Sequence, residues 1–269
     1  ALLCVAEATN VPLLMQSPPA VRASVGEVFS GHLVLSAVET YPHIPICMHQ
    51  DSCNAPGTCY SAMRQGFTSV MMDGSLEGDA KTPASYEYNV EVTREGGKVA
   101  HSIGVSVEGE LGCLGSLETG MGEAEDGHGF EGALSHDQLL TDPEEAVNFV
   151  EQTGVDALAV AIGTSHGAYK FTRKPDGDIL AMNVIEEIHR KLPNMHLVMH
   201  GSSSVPQDLQ DIINANGRKM KPTWGVPVSE IQRGIKHGLR KITIHPHNRK
   251  PMTRPTPQAP TENPTAADP

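Results

Sequence analysis

The 269-residue sequence predicts an α/β fold built on parallel strands, and within that class a (β/α)8 TIM barrel lacking its first strand. Three observations predict it. Short apolar runs recur at regular spacing and are followed by helical patterns, the rhythm of βα units. Several runs end in His, Asp or Glu beside glycine, as strands do where a ring of strand ends builds an active site. The length suits one large domain, and 26 glycines with only 4% aromatic residues suit many tight turns.

The chain opens in Ala1-Leu-Leu-Cys-Val-Ala-Glu-Ala, which reads as the tail of a helix, so the first strand of a barrel is expected to be missing. Residues 11–16 read as a strand stopped by Ser17-Pro18-Pro19, and residues 29–40 as a helix. Four βα units follow. Strand 44–51 precedes helix 56–66, and strand 69–73 precedes helix 83–101, where Gly96-Gly97 weakens the helical pattern. Strand 104–111 precedes a polar, Gly- and Glu-rich loop over about 113–140, long enough to suggest a functional lid. Thr141-Asp142-Pro143-Glu144-Glu145 then starts a helix with a cap, a proline and acidic first-turn residues. Strand 156–163, helix 182–191, strand 196–200, helix 205–216, a short helix 228–238 and strand 241–244 complete seven strands. A single domain is therefore expected over 1–246. Seven of the last 25 residues are proline, without periodicity, so 247–269 is expected to be a disordered tail.

The formal net charge of −12 argues against nucleic acid or an acidic membrane surface as a partner, and no apolar run of about 18 residues predicts a membrane span. Five cysteines without CxxC pairs read as reduced thiols, which points to a cytoplasmic protein.

The chemistry sits at the strand exits. Leu197-Val-Met-His200 ends in an imidazole before a Gly201-Ser202-Ser203-Ser204 turn and a helix start at Val205-Pro206-Gln207. An imidazole beside helix-entry N–H groups can serve a metal and an anion together. The pattern recurs in Ala157 to Gly167, ending Ser165-His166-Gly167; in Val105 to Gly112, with Glu110; in Ser69-Val-Met-Met-Asp73-Gly-Ser75; and in Ile44 to Asp51, ending His49-Gln50-Asp51. Any one of these alone also reads as a capped turn after a core strand.

Together, in this order, they resemble class II, metal-dependent fructose-bisphosphate aldolase of the Calvin-cycle subtype, across about residues 32 to 244. The resemblance implies a TIM barrel, usually homodimeric, of which this sequence is expected to lack the first strand and the C-terminal helices. It implies reversible cleavage of fructose 1,6-bisphosphate to dihydroxyacetone phosphate and glyceraldehyde 3-phosphate, so that the partners are phosphorylated ketoses and trioses. It also implies a catalytic zinc acting as Lewis acid on the ketone oxygen, and a monovalent cation. His166 and His200 match two of three zinc histidines, and Asp73 and Glu110 match carboxylates that hold the ion at an alternative position. Asp51 matches the acid/base for the C4 hydroxyl proton, and Glu118 matches a carboxylate that handles the C3 proton. Gly167, Lys170, Gly201, Ser202 and Ser203 match the surroundings of the ketose phosphate. His49 reads as structural.

The sequence departs from the family at named places. The family pattern His-Gln-Asp-His-Gly stands here as His49-Gln50-Asp51-Ser52-Cys53, so Ser52 occupies the third zinc-histidine position. The last strand should end Asn-Ile-Asp-Thr and ends Thr243-Ile244-His245-Pro246, which leaves His245 as a substitute donor. Three readings stay open: an active zinc aldolase, a catalytically impaired fragment or paralogue acting as a binding or subunit module, and a tagatose-bisphosphate aldolase of the same superfamily.

Overall fold

The computed structural model describes residues 2–122, 128–165, 171–173, 180–215, 219 and 221–244. The proposed tail over 247–269 lies outside the described residues. In chain order the elements are α1 (Leu2–Thr9), β1 (Leu13–Ser17), α2 (Pro19–Val25), α3 (Glu27–Thr40), β2 (Ile46–Cys53), α4 (Pro56–Arg64), β3 (Ser69–Met72), α5 (Tyr86–Ser102), β4 (Ser106–Leu111), β5 (Gly115–Ser116), β6 (Met121–Gly122) and β7 (Gly132–Ala133). They continue with α6 (His136–Leu139), α7 (Pro143–Thr153), β8 (Ala157–Val160), α8 (Met182–Lys191), β9 (His196–Met199), α9 (Gln207–Ala215), α10 (Val228–Lys236) and β10 (Leu239–Ile242). The chain divides into two compact units, one made of Ala1–Leu111, Asp126–Phe130 and Glu144–Ala159, the other of Gly112–Glu125, Glu131–Pro143 and Val160–Pro269.

In the first unit β1, β2, β3 and β4 lie side by side with parallel pairing, and β8 follows β4. The register sets which residues share a face, because residues opposite each other in a parallel pair point the same way. Gln16 stands opposite His49, His49 opposite Ser69, Ser69 opposite Ser106, and Met71 opposite Glu108. With a period of two, one face then carries Gln16, His49, Asp51, Ser69, Met71, Glu108 and Glu110. The other face carries Met48, Gln50, Val70, Met72, Val107, Gly109 and Leu111, and it packs on the helices. The register of β2 against β3 shifts between Gln50 and Cys53, and Ser52 adopts a φ of +49° there. This bulge keeps Asp51 with His49 while Cys53 turns to the helix side.

Local chemistry explains the helices. Pro19 and Pro56 stand in the first turns of α2 and α4, where a missing N–H costs nothing. The Ser85 hydroxyl accepts from Tyr88 N–H to cap α5. α5 continues through Gly96 and Gly97 because both are buried: a Cβ on Gly97 would lie 3.8 Å from the Thr153 carbonyl and 4.0 Å from Val107. The expectation that Ser17-Pro18-Pro19 only stops a strand misses α2, which the second proline starts.

The second unit contains β9 and β10, a parallel pair, with α8, α9 and α10. Within the expected polar loop over 113–140, the described residues include regular elements. β5, β6 and β7 form a small antiparallel sheet, α6 is closed by a reciprocal Ser135–Gln138 capping box, and Leu134 and Leu139 are buried. Those few leucines supply an apolar anchor that a count of glycines and glutamates conceals.

Gly109 shows how tightly the first unit packs. A Cβ there would lie 2.8 Å from the Phe149 ring and 3.1 Å from Val155, and Phe149 is fully buried. Gly109→Ala is expected to cost roughly 1–3 kcal/mol, the usual range for overpacking a dense core. Denaturant unfolding checks this, and a variant as stable as the parent would contradict the packing described.

Candidate functional site

The polar face of the first unit's sheet gathers Asp51, Glu108 and Glu110, with Asp73 just past β3, all 6% exposed or less. Burying carboxylates costs several kcal/mol each unless cations or hydrogen bonds compensate. The compensation can be traced residue by residue.

Asp51 takes the Gln16 side-chain amide on Oδ2 at 2.9 Å, and its Oδ1 stands 3.6 Å from His49 Nε2. Its backbone is braced from behind. Gln50 Nε2 donates to the Asp51 carbonyl at 2.8 Å, and the buried Arg22 guanidinium donates to Gln50 Oε1 at 2.6 Å. Arg22 also donates to Ser61 at 2.9 Å, pairs with Glu27 at 3.0 Å and lies 5.3 Å over the Phe67 ring. His49 is 2.8 Å from the Ser69 hydroxyl through Nδ1, and its Nε2 is 3.8 Å from Glu108 Oε2. Among the described residues, His49, Asp51 and Glu108 form a group whose ligand atoms all lie within 4.8 Å of one another.

Asp73 is held differently. Its Oδ1 accepts from Ser75 N–H at 3.1 Å and from the Ser75 hydroxyl at 2.5 Å, and its Oδ2 meets His128 Nε2 at 2.5 Å. Burial pushes the Asp73 carboxyl up, but the hydrogen bond and charge of His128, with both Ser75 donors, outweigh it and hold the carboxyl below its ordinary value. Burial likewise pushes His128 down, and Asp73 reverses the direction, so the imidazole is raised. The Glu110 backbone carbonyl accepts from Asn89 at 2.7 Å.

Ser52 follows Asp51 and presents a hydroxyl where the family motif has an imidazole. The neighbouring Cys53 is buried. Burial, followed by the hydrogen bond and charge of Cys59, pushes its thiol well above its ordinary value.

In the second unit His200 is buried at the end of β9. Its carbonyl accepts from the Thr164 hydroxyl at 2.8 Å. The Ser202 hydroxyl donates to the Met199 carbonyl at 2.9 Å, and Ser202 N–H donates to the Thr243 carbonyl at 3.1 Å. Ser203 is buried, and its carbonyl accepts from Val226 N–H at 3.0 Å. Gly201 has φ +64°, and a Cβ there would fall 2.8 Å from the Ser165 carbonyl carbon. Glu118 closes a local clamp: Thr172 N–H donates to Oε2 at 2.9 Å and the Thr172 hydroxyl to Oε1 at 2.6 Å, with Arg173 3.8 Å away. His166, Gly167, Lys170 and His245 lie outside the described residues.

Sequence reasoning placed Asp51, Asp73 and Glu110 on strand exits and missed Gln16, Glu108 and His128. Glu108 was legible, since alternation in Glu108-Gly109-Glu110 sends both carboxylates to one face. Gln16 and His128 reach the site from 35 and 55 residues away from their partners, and no local signal marks them.

The fold and the site define a class. A family model for class II fructose-bisphosphate aldolase matches residues 1–269, and the chain belongs to that family. Over 269 residues it is 67% identical to a protein named fructose-bisphosphate aldolase from Nostoc commune, covering all of this chain and 75% of that one. It is equally similar, 67% over 264 residues, to fructose-bisphosphate aldolase class 2 from Synechocystis, covering 98% and 74%. Among solved structures, the YdjI aldolase of Escherichia coli K12 matches with a TM-score of 0.64 at 24% identity over 98% of this chain and 75% of that one. The fructose-bisphosphate aldolase of Campylobacter jejuni matches with a TM-score of 0.63 at 18% identity over 97% and 72%. The α/β fold is thus the one class II aldolases have. The family is metal-dependent, and no helix among the described residues is long and apolar enough to cross a membrane.

Gly201→Ala tests the second unit's turn. The positive φ and the Ser165 backbone leave no room, so the substitution is expected to cost about 1–3 kcal/mol, the range for a residue forced into a strained conformation. Urea unfolding that gives an unchanged midpoint would contradict it.

Proposed function

We propose that this chain is an aldehyde-lyase that reversibly cleaves fructose 1,6-bisphosphate to dihydroxyacetone phosphate and glyceraldehyde 3-phosphate. The observation that carries the reading is 67% identity over the whole chain to a relative named for that activity. The same reading takes residues 1–246 as one barrel domain of a cytoplasmic homodimer, with zinc and a monovalent cation as its ions.

Donor chemistry decides where zinc fits. His200 is a buried imidazole at a strand end, and with His166 it would supply two neutral nitrogen donors. Ser52 supplies a neutral hydroxyl, a poor partner for zinc beside imidazoles, on backbone that already has φ +49°. When bound, a divalent cation stabilises the negative charge that develops on the ketone oxygen as the C3–C4 bond breaks. Asp73 and Glu110 are the carboxylates through which the resemblance would hold it at a second position.

The protein's own groups do the rest. Asp51 takes the proton from the C4 hydroxyl, and the Gln16 amide fixes the carboxylate for that task through Oδ2. Arg22 and Gln50 hold the strand end from the helix side. Glu118 is assigned the C3 proton by the resemblance, yet its carboxylate spends both oxygens on Thr172. Those two bonds fix the carboxylate's orientation and leave each oxygen a further lone pair. Gly167, Lys170, Gly201, Ser202 and Ser203 are read as the ketose-phosphate surroundings. Tight turns bring backbone N–H groups to an anion, and Lys170 adds positive charge. Substitution of the third histidine favours a second reading, that turnover is impaired while the fold persists.

Two substitutions examine these readings. Asp51→Asn is expected to lower kcat/KM by roughly 10²- to 10⁴-fold, the range for removing a general acid–base group, in a coupled assay on zinc-loaded protein. A rate equal to the parent's would reject the assignment. Ser52→His places an imidazole on backbone that histidine tolerates better than most side chains, and it is expected to raise the cleavage rate by at least ~10-fold. A rate already matching the Nostoc relative's, with no gain on Ser52→His, would dismiss the impaired reading. Running fructose and tagatose bisphosphates side by side separates the two substrate epimers.

A further inference from the structure

We propose that the outer face of α3 is a self-association surface, on which a second copy of this chain docks by two-fold symmetry. The helix is inside out for an element that covers a sheet. Its inward residues are small: Ser30, Gly31 and Ala37 are buried, and a Cβ on Gly31 would lie 3.5 Å from the Gln65 carbonyl and 3.8 Å from Met48. Large apolar residues stand on the other side. Val28 is 61% exposed, Phe29 62%, Leu33 56% and Leu35 46%. Val25, the last residue of α2, extends the row at 45%.

The spacing makes these residues one surface. Positions three, four and seven apart share a helix face, so Phe29 stands beside Leu33, and Val28 lines up with Leu35 two turns on. The polar groups among them are turned back on the protein. The Ser36 hydroxyl donates to the His32 carbonyl at 2.9 Å, and the Thr40 hydroxyl to the Ser36 carbonyl at 2.7 Å. Glu27 pairs with the buried Arg22 at 3.0 Å and accepts from Ser61 at 3.1 Å. The 14-residue helix holds no lysine or arginine. α5, packed on β3 and β4 of the same sheet, shows the chemistry of a face that meets water: it exposes Glu91, Arg94, Glu95 and Lys98. Depletion of charge, with an aromatic residue present, is the compositional mark of an interface core.

The area fits a second copy. Val25, Val28, Phe29, Leu33 and Leu35 together offer on the order of 500 Å² of apolar surface, if a fully exposed large side chain carries about 150–250 Å². A stable interface buries about 800 Å² per partner, of which ~56–65% is apolar, so each partner supplies roughly 450–520 Å² of apolar surface. This one face is therefore enough when the partner brings the same face, as an isologous contact does. The face carries no cluster of one charge sign that would select a charged partner, and an apolar row is complementary to itself. The inference rests on the homodimer reading only for the number of copies. None of the five apolar residues belongs to the candidate site, so the aldolase reading does not depend on it.

Sedimentation velocity of the full chain across a range of concentrations tests the proposal. The parent is expected to form dimers that do not grow further. Leu33→Glu and Phe29→Lys, both at exposed positions, are expected to keep the parent's circular dichroism. Each is expected to raise the dimer dissociation constant by at least ~100-fold, because two-fold symmetry applies every change twice. Mixing Leu33→Glu with Leu33→Lys is expected to recover dimers, as faces that pair with themselves do. Hydroxyl-radical labelling of the parent at Phe29 and Leu33 is expected to fall several-fold as the dimer forms. Variants that dimerise as tightly as the parent would overturn the face and leave the homodimer reading standing. Labelling at Phe29 and Leu33 that does not change on dimerisation would do the same, however the variants fold. A parent that stays monomeric at every concentration would overturn both, whatever else covers the patch. Growth into larger species would mean a head-to-tail contact and would overturn the symmetric docking.

Discussion

Burial of four carboxylates on and beside one face of a parallel sheet is the constraint on which the first unit depends. Alternation along β2 and β4 puts Asp51, Glu108 and Glu110 on that face, and the turn after β3 adds Asp73. Charges removed from water are tolerable only with partners, so each carboxylate calls for a named answer. Gln16 answers Asp51 from β1, and His128 with Ser75 answers Asp73. His49 faces Asp51 and Glu108 together. The apolar face behind, with Phe149 against Gly109 and Arg22 against Gln50, keeps the strands in the register that makes these pairs meet. Strand pairing, rather than any single side chain, is what assembles the chemistry.

The local parts of this arrangement were legible in the sequence. α8 is found where its pattern predicts it, over 182–191, and the strands fall within a few residues of their apolar runs. Asp51, Asp73, Glu110 and His200 were marked by their positions at the ends of those runs. The non-local parts were not legible. Gln16 becomes a partner of Asp51 only through the register of β1 on β2, and His128 only because the segment 128–130 returns to the first unit, where Gly129 N–H donates to the Ala80 carbonyl. His49 read as structural because sequence shows one neighbour at a time. The parallel register gives it Ser69 on one side and two carboxylates on the other.

The Ser52 substitution gains meaning in this setting. On the proposed reading it replaces a metal-binding imidazole, at a bulge where the backbone leaves the regular strand register. The β2 bulge separates the two roles. Asp51 stays on the polar face, Ser52 takes the left-handed turn, and Cys53 enters the helix side against Cys59. A change confined to the bulge leaves the paired residues on either side of it in register.

The pairing of Asp73 with His128 exposes this constraint most directly, because a buried carboxylate stripped of its partner is costly. Denaturant unfolding of His128→Ala beside the parent measures that cost. The midpoint is expected to fall by the equivalent of roughly 3–5 kcal/mol, the range for breaking a buried pair by removing one partner. A midpoint equal to the parent's would show that the Ser75 donors alone hold the Asp73 carboxylate in place.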